Sequence, residues 1–280
     1  MPSEIKSIGF IGLGQMGARQ GREIAKLPLS LTVFDERREA MHPFEGTARL
    51  ASSIAELGAS SDLVGICVQD DDQVNACAAE LLPAMKPGSV ILIHSTVHPA
   101  TVTALAERAK ALGIEVRDAP VTRTRMTEEG PCVFCPMGGD EAVKARVQAI
   151  LDAFATDTLL VGPIGSAMAL KICNNLVSWC EIAVALEALA LAQSAGIPSE
   201  ILLGLMGSNG LLTPPMKVFA GFRTQPPPGD SWREGVVGAA RMGEKDLKLA
   251  EQLAIGVGAR SPIASFLRGI VKDAILQCVR

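Results

Sequence analysis

The chain of 280 residues contains no tyrosine and only three histidines, His42, His94 and His98. The absence of tyrosine excludes every mechanism in which a Tyr hydroxyl is the acid. A Ser-His-Asp hydrolase or a His-based dehydrogenase would depend on one of the three histidines. None of them lies in the sequence context of a nucleophile elbow, which argues against the hydrolase.

Long runs of a single residue type are also missing. No stretch reaches about 18 consecutive apolar residues, so we expect no membrane span. Aromatic residues make up only 4% of the chain, the net charge is -4, and there is no long basic run, which predicts no nucleic-acid partner. The first residues lack a basic start followed by an apolar core, so we expect no secretory signal and a cytoplasmic protein.

The seven cysteines are odd in number and scattered, which favours free thiols in a reducing compartment. Cys132 and Cys135 form a lone CxxC without a second pair or a nearby histidine. A four-ligand metal site needs more than this, so we predict no metal and interpret the two cysteines as strand residues on opposite faces.

A glycine-rich segment follows the first apolar run. Residues 5–11 are predicted to form a buried strand, and Gly12-Leu13-Gly14-Gln15-Met16-Gly17 leads into a helix that extends to about Leu27. In such a segment, Gly12 permits the tight turn, Gly14 lets the backbone approach a pyrophosphate, and Gly17 allows the helix to pack closely on the strand. The helix N-terminus offers N–H groups to phosphates, which predicts a dinucleotide site.

The second predicted strand, residues 31–34, ends at Asp35, 18 residues after the last glycine. A carboxylate at this place accepts hydrogen bonds from a ribose 2′-hydroxyl and repels a 2′-phosphate, so we expect NAD as the cofactor. Arg37 and Arg38 follow directly and would tolerate a 2′-phosphate, which leaves NADP possible.

Further apolar runs at residues 63–68, 89–93 and 114–121 alternate with helical segments, as in a parallel sheet. The loops at the carboxyl ends of such strands form the ligand crevice. Gln69, Ser95, Thr96 and residues 121–124 are therefore candidate ligand-binding residues. For Ser95 and Thr96 the alternative is a turn or helix cap before Pro99.

Residues 166–192 are helical in composition and apolar nearly all round, so we expect a helix buried on most sides. Lys171, Asn174, Asn175 and Ser178 nevertheless lie at i, i+3, i+4 and i+7, on one face. Buried polar groups are costly unless they are paired or bind a ligand. A pKa lowered by burial would let Lys171 exchange a proton during a reaction. The alternative is a lysine that reaches the rim and asparagines that cap a neighbouring segment.

The remaining sequence, after a break at residues 196–199, shows no clear strand. Residues 223–230 are predicted to form a surface loop, and Glu244 is predicted to begin another helix.

Four separated motifs resemble the β-hydroxyacid dehydrogenase family, which includes 3-hydroxyisobutyrate dehydrogenase and, more distantly, 6-phosphogluconate dehydrogenase. In chain order they are Gly12-Leu13-Gly14-Gln15-Met16-Gly17, Asp118-Ala119-Pro120-Val121, Gly162-Pro163-Ile164-Gly165-Ser166 with Lys171 and Asn175, and Lys245-Asp246-Leu247.

The resemblance implies an α/β Rossmann-type N-terminal domain (residues 1–163), a long interdomain helix (164–193) and an all-α C-terminal domain (194–280). It implies an active site between the domains and a homodimer or homotetramer. Lys171 would be the catalytic acid/base with Asn175 as its partner, and Thr96 and Lys245 would contact cofactor or substrate. The implied reaction is the oxidation of a small anionic β-hydroxy acid, or reduction of its semialdehyde, with NAD or NADP.

The chain departs from the family pattern at two places. Thr122-Arg123-Thr124 stands where the family usually has Ser-Gly-Gly, and Ala239 stands where a Phe is frequent. The Arg-Thr pair is similar to sulfolactaldehyde reductase, a branch that binds a sulfonate, and Asn174 and Ser178 fit that branch. We therefore expect substrate contacts from Ser95, Thr122, Arg123, Thr124, Asn174 and Ser178.

Two other functions share this architecture or this cofactor site. Imine reductases usually replace the catalytic lysine, so Lys171 argues against them. A dinucleotide-binding sensor without turnover would not need the polar stripe on the long helix.

Overall fold

The computed structural model describes residues 4–123 and 129–279, except for the side chain of Ser231. Contacts divide the chain into two compact units, Met1–Lys171 and Ile172–Arg280. The division falls within one long helix, and the predicted domain limits of 163 and 193 bracket it.

The first unit contains a six-stranded parallel sheet in the order β3-β2-β1-β4-β5-β6. This is the strand order of doubly wound dinucleotide-binding folds, and it confirms the predicted fold class. The strands are β1 (Ser7–Ile11), β2 (Ser30–Phe34), β3 (Arg49–Leu50), β4 (Leu63–Ile66), β5 (Val90–Ile93) and β6 (Glu115–Asp118). The helices between them are α1 (Gln15–Ile24), α2 (Ile54–Ala59), α3 (Asp71–Leu81) and α4 (Pro99–Lys110).

Apolar residues without alternation explain why these segments form inner strands. All four residues of β4 and of β5 are buried, as expected for strands covered by helices on both faces. The side chains of Phe10 and Val33 are likewise fully buried. The carboxyl ends of β1, β4, β5 and β6 thereby meet at one edge of the sheet.

A second, three-stranded sheet follows and was not predicted. It consists of β7 (Thr122–Arg123), β8 (Val133–Gly138) and β9 (Ala155–Gly162), with α5 (Glu141–Phe154) between the last two. β7 is antiparallel to β8, and β9 is parallel to it. Of the CxxC pair, only Cys135 lies within a strand, because Cys132 precedes β8; both are buried.

All regular secondary structure in the described residues of the second unit is helical, as predicted, with turns and loops between the helices. The helices are α6 (Ser166–Ser194), which begins in the first unit, α7 (Ser199–Ser208), α8 (Pro214–Thr224), α9 (Ser231–Gly256) and α10 (Pro262–Leu276). Two boundaries differ from expectation. Arg223 and Thr224 still belong to α8, and α9 begins at Ser231 rather than at Glu244. Neither the end of α8 nor the start of α9 carries a strong local sequence signal.

The expectation that α6 is buried on most sides is wrong for the chain taken alone. Val177, Val184 and Leu191, spaced by seven residues, are 57%, 63% and 71% exposed. By length and composition α6 also has what a membrane span requires, with a mean hydropathy of 1.5. Core helices of soluble proteins pass the same test, so the absence of a membrane partner stays a prediction.

Candidate active site

The glycine-rich segment connects β1 to α1, where its three glycines meet three different demands. Gly12 has a φ of 89°, and a Cβ there would lie 2.3 Å from the carbonyl oxygen of Cys67. A Cβ at Gly17 would lie 1.9 Å from the carbonyl oxygen of Gly12, so helix and turn pack directly on each other. A Cβ at Gly14 would meet nothing within 4 Å, which leaves this backbone open to a ligand.

The start of α1 fits a dinucleotide phosphate. The helix begins at Gln15, so the N–H groups of Gln15, Met16 and Gly17 lie in its first turn, where the helix itself supplies no acceptor. Open backbone at Gly14 beside these donors is what a pyrophosphate requires. Leu13 differs, because its side chain is buried in the core.

Asp35 follows β2 and is bonded to the same loop. Its Oδ2 accepts from the backbone N–H of Leu13 at 2.7 Å, and its Oδ1 accepts from that of Arg37 at 2.9 Å. The carboxylate therefore lies at the rim of the glycine-rich turn and helps to hold it. Nε of Arg37 also lies 3.6 Å from Oδ1, so Oδ2 is the oxygen with the more open acceptor direction for a ribose hydroxyl.

Residues 94–96 directly follow β5 and differ in their environment. His94 is buried, stacks on Phe10, and its Nδ1 lies 2.7 Å from the carbonyl oxygen of Ala119. Burial lowers the pKa of His94 to about 4, against the opposing effect of that hydrogen bond. The residue is thus a neutral core group. Thr96, two residues later, is half-buried at the edge of the sheet.

Ser95 and Gln69 are engaged by their surroundings. Ser95 is buried, and its Oγ accepts from the N–H of Val68 at 2.7 Å, joining the loops after β4 and β5. Gln69 is exposed, and its N–H donates to the side chain of Gln73 at 3.0 Å. The expected contacts of Ser95 with substrate and of Gln69 with cofactor stay predictions.

Lys171 lies in the second turn of α6, and its Nζ donates a hydrogen bond of 2.9 Å to Oγ1 of Thr122 in β7. Both residues were predicted for the site, and the fold brings them together from positions 49 residues apart. Because the hydroxyl accepts from the ammonium, its own hydrogen is directed elsewhere. The pair therefore offers two adjacent donors to one oxygen of a ligand.

Arg123 follows Thr122 in β7 and is exposed. Successive strand residues point to opposite faces, so the Cβ of Arg123 is directed away from the face on which Thr122 meets Lys171. Any contact between Arg123 and the ligand would come from the reach of its long side chain. Thr124, the other member of the predicted anion-binding pair, lies outside the described residues.

The four polar residues of α6 do not share one environment. Lys171 and Ser178 are half-buried, Asn174 is exposed, and Asn175 is 9% exposed. The hydroxyl of Ser178 donates to the backbone carbonyl of Asn174 at 3.2 Å, a bond within the helix. The substrate contacts expected of Asn174 and Ser178 stay predictions.

A buried carboxylate fixes Asn175 within the second unit. Asp246, 2% exposed, accepts at Oδ2 from Nδ2 of Asn175 at 2.8 Å and from Nε1 of Trp179 at 3.0 Å. Nζ of Lys245 lies 3.0 Å from the other oxygen and offsets the buried charge. Since the Nδ2 of Asn175 faces Asp246, the opposite end of that amide is an acceptor.

Asp118 and Asp246 lie within family motifs without a predicted role, and Trp179 carries no functional signal in the sequence. No clear local signal marked Asp246, because Lys245 and Lys248 lie close to it in the sequence, as they would on an exposed helix face. Asp118 is fully buried at the end of β6 and accepts from the N–H groups of Gly165 and Met168, both at 2.9 Å.

Comparison with known proteins adds a family match. Residues 7–163 match the model of the NAD binding domain of 6-phosphogluconate dehydrogenase, which is more than half of the chain. The match begins at β1 and ends just before α6.

Relatives extend the similarity over nearly the whole chain. An oxidoreductase of Mycobacterium tuberculosis is 32% identical over 93% of this chain and 90% of its own. The 2-(hydroxymethyl)glutarate dehydrogenase of Eubacterium barkeri is 31% identical over 75% and 70%, respectively. Among solved structures, a 3-hydroxyisobutyrate dehydrogenase from Salmonella typhimurium has a TM-score of 0.81 at 25% identity, covering 95% of this chain and 93% of that one.

Proposed function

The chain belongs to the β-hydroxyacid dehydrogenase family and is an NAD-binding oxidoreductase, and on that premise we propose that it interconverts a small anionic β-hydroxy acid and its semialdehyde. The observation that carries the proposal is the 2.9 Å hydrogen bond from Nζ of Lys171 to Thr122, in the same unit as the dinucleotide-binding loop. It supplies a proton-transferring group and a second donor beside it.

Cofactor binding is supported by the open backbone at Gly14, the first turn of α1 and the carboxylate of Asp35. We propose NAD rather than NADP, because Asp35 at the rim of the turn would repel a 2′-phosphate. When bound, the nicotinamide supplies the hydride chemistry, and the protein supplies position and proton transfer.

Lys171 has the proton-transfer role in this proposal. In the oxidation direction its neutral amine takes the proton of the substrate hydroxyl, and in the reduction direction its ammonium returns it. Thr122 holds the amine at a defined place and turns its own hydroxyl hydrogen outward. Asn175 lies one helical turn further along α6, where its amide oxygen is an acceptor.

The substrate class is proposed from two sources. The Eubacterium barkeri and Salmonella relatives are named for hydroxy acids that carry the hydroxyl on the carbon β to a carboxylate. Arg123, where the family usually has glycine, adds a permanent positive charge suited to carboxylate or sulfonate. A short hydroxysulfonate is therefore the second candidate.

The decisive experiment is a steady-state absorbance assay at the reduced-nicotinamide band with NAD and a panel of substrates. The panel contains 3-hydroxyisobutyrate, 2-(hydroxymethyl)glutarate, 2,3-dihydroxypropanesulfonate and a neutral diol of matched length. We expect turnover with at least one anion and little with the diol. Tight NAD binding without turnover of any member would favour a dinucleotide sensor instead.

We also propose that the protein acts as a cytoplasmic homo-oligomer. The oligomer is supported by the exposed apolar stripe of Val177, Val184 and Leu191 on α6, since apolar side chains grouped on an exposed face are typical of contact surfaces. Sedimentation of the wild type and of Val184→Glu tests this: we expect a dimer or tetramer that dissociates in the variant. A monomeric wild type would contradict the proposal.

A further inference from the structure

Asp118 is a buried carboxylate that accepts hydrogen bonds from the start of a helix. It is the last residue of β6 and is 0% exposed. Its Oδ1 accepts from the N–H of Gly165 and its Oδ2 from that of Met168, each at 2.9 Å. These donors lie at the start of α6, the helix that carries Lys171.

The start of α6 cannot be capped by its own residue. Helix N-caps are usually Ser, Thr, Asp or Asn, whose side chain accepts from the N–H two or three residues on. Here the residue before the helix is Gly165, which has no side chain and a φ of 93°. Asp118 takes over this function from 47 residues away.

The place of the Asp118 carboxylate is shaped by a second glycine. A Cβ at Gly138, the last residue of β8, would lie 2.2 Å from Oδ1 of Asp118. Only a glycine there leaves room for the carboxylate against the first turn of α6. The position of the helix start is thus defined from the strand side as well.

A short, rigid segment joins this cap to the proposed catalytic lysine. Residues 118–121 are buried, and the N–H of Ala119 is bonded to the carbonyl of Ile93 at 2.9 Å. Pro120 fixes its own φ. The next residue is Thr122, which accepts from Nζ of Lys171. One chain segment therefore holds α6 at two levels, at its first turn through Asp118 and at its second through Thr122.

We propose that Asp118 is a positioning residue that sets the axial place and rotation of α6 so that Nζ of Lys171 meets Thr122. This rests on the proposed function of Lys171. A charged acceptor bonded to the first turn stabilises the helix start more than a neutral one does. Without it the first turn frays, and the amine loses its defined place although Lys171 itself is intact.

The test uses the full chain with Asp118→Asn, and Asp140→Asn as the matched control. Asp140 caps α5 by accepting from the N–H of Val143 at 3.0 Å, and α5 carries no residue of the proposed site. Its other oxygen accepts from Arg117, the neighbour of Asp118 in β6, at 2.6 Å, so the control also shows what the loss of a charge beside Asp118 does by itself. Both substitutions remove one charge from a helix cap. We expect kcat with the best substrate to fall about tenfold or more in Asp118→Asn only, with the Kd for NAD unchanged.

A second readout needs no substrate. An amine-acylating reagent modifies lysines at a rate that mass spectrometry can follow, with the exposed Lys110 as the internal reference. The rate for Lys171 should rise at least about threefold in Asp118→Asn and stay unchanged in Asp140→Asn. Gly138→Ala, which keeps the carboxylate but displaces it, should give the same signature. If Asp118→Asn matches the control in both kcat and labelling, the inference is overturned.

Folding failure of the variants would not remove the test. In the wild type, amide hydrogen exchange of residues 165–169 should be slower than that of residues 141–145, whose cap is exposed. Equal or faster exchange at 165–169 would refute the anchoring. If the wild type turns over no panel substrate, the proposed function fails, while labelling and exchange still decide whether Asp118 anchors Lys171.

Discussion

The side-chain amide of Asn175 donates from Nδ2 to Oδ2 of Asp246 at a distance of 2.8 Å, and this bond fixes Oδ1 as the accepting end of the amide. That oxygen accepts from Nδ2 of Asn174 at 3.5 Å, a long hydrogen bond. The indole N–H of Trp179 donates to the same oxygen at 3.0 Å. Asp246 therefore orients a residue of the proposed site and simultaneously closes a buried polar cluster.

Asp246→Asn tests this relationship. The change removes the charged acceptor that two buried donors share, and hydrogen bonds to charged groups are worth about 1.5–3 kcal/mol. We expect the free energy of unfolding to fall by an amount of this size. We also expect a lower kcat and a change in the fluorescence emission of Trp179. Trp179→Phe is the control, because it removes one donor and leaves Asn175 bonded. A loss of kcat as large in Trp179→Phe would mean that packing, rather than the orientation of Asn175, matters.

Lys171→Ala should abolish most turnover. The loss of a positioned acid/base costs typically about 10²-fold or more in kcat. The variant should still bind NAD, since the glycine-rich loop and Asp35 are untouched. Thr122→Val is the comparison: it removes one hydroxyl that accepts from Lys171, keeps the lysine itself, and should reduce kcat less. Near-native kcat in Lys171→Ala would exclude the mechanism.

Cofactor preference should follow Asp35. The wild type is expected to show a higher kcat/KM with NAD than with NADP, because the carboxylate accepts from a 2′-hydroxyl and repels a 2′-phosphate. Asp35→Asn keeps an acceptor for the N–H of Leu13 and removes the charge, so the preference should narrow. A wild type that prefers NADP would show that Arg37 and Arg38 dominate this rim.

Arg123→Ala measures whether the protein recognises the charge of its substrate. We expect kcat/KM for carboxylate or sulfonate substrates to fall. The corresponding loss of transition-state stabilisation should be roughly 1.5–3 kcal/mol, the size of a lost hydrogen bond to a charged group. A neutral diol of equal length should be a poor substrate of the wild type and little affected by the change. Equal losses across the series, or none, would assign Arg123 to the outer face of β7.

His94 predicts a pH dependence of stability. Its pKa in the folded state is lowered by burial from 6.5 to about 4. As the pH falls from 6.5 towards 4, the unfolded chain binds a proton at this residue and the folded chain does not. The contribution of His94 to the free energy of unfolding is therefore fully present above pH 6.5. It is lost progressively below that pH, by about 3 kcal/mol near pH 4.

Denaturant unfolding at pH 7 and pH 5 checks this, with His94→Asn as the variant, because an Asn amide can keep the hydrogen bond to Ala119. The variant should lose part of the wild-type slope with pH, whereas His42→Gln, at an exposed residue, should keep it. An unchanged slope in His94→Asn would show that other groups dominate the acid limb.

The features that could be predicted from the sequence are those whose cause is local. The positive φ of Gly12 and the close packing of Gly17 on Gly12 are backbone demands within six residues, and the strands of the parallel sheet follow from uninterrupted apolar runs. Lys171 and Thr122 were both predicted for one site, Lys171 within a family motif and Thr122 directly after one, but the hydrogen bond between them was not predicted.

What could not be predicted depends on partners distant in the chain. Nothing near Gly165 shows that its helix is capped from β6, and nothing near Asn175 shows that Asp246 orients it. The exposed stripe on α6 was missed for another reason. An apolar helix has the same composition whether its own chain or a second copy covers it.

The cap of α6 also bears on how the chain is made. During synthesis, Asp118 emerges from the ribosome 47 residues ahead of Gly165, so the acceptor for the helix start is present before the helix exists. A nascent α6 can dock its first turn at once instead of waiting for later segments. Cutting the gene at residue 163 would separate the cap from its helix, and the two fragments would then have to reassociate for α6 to begin where it does.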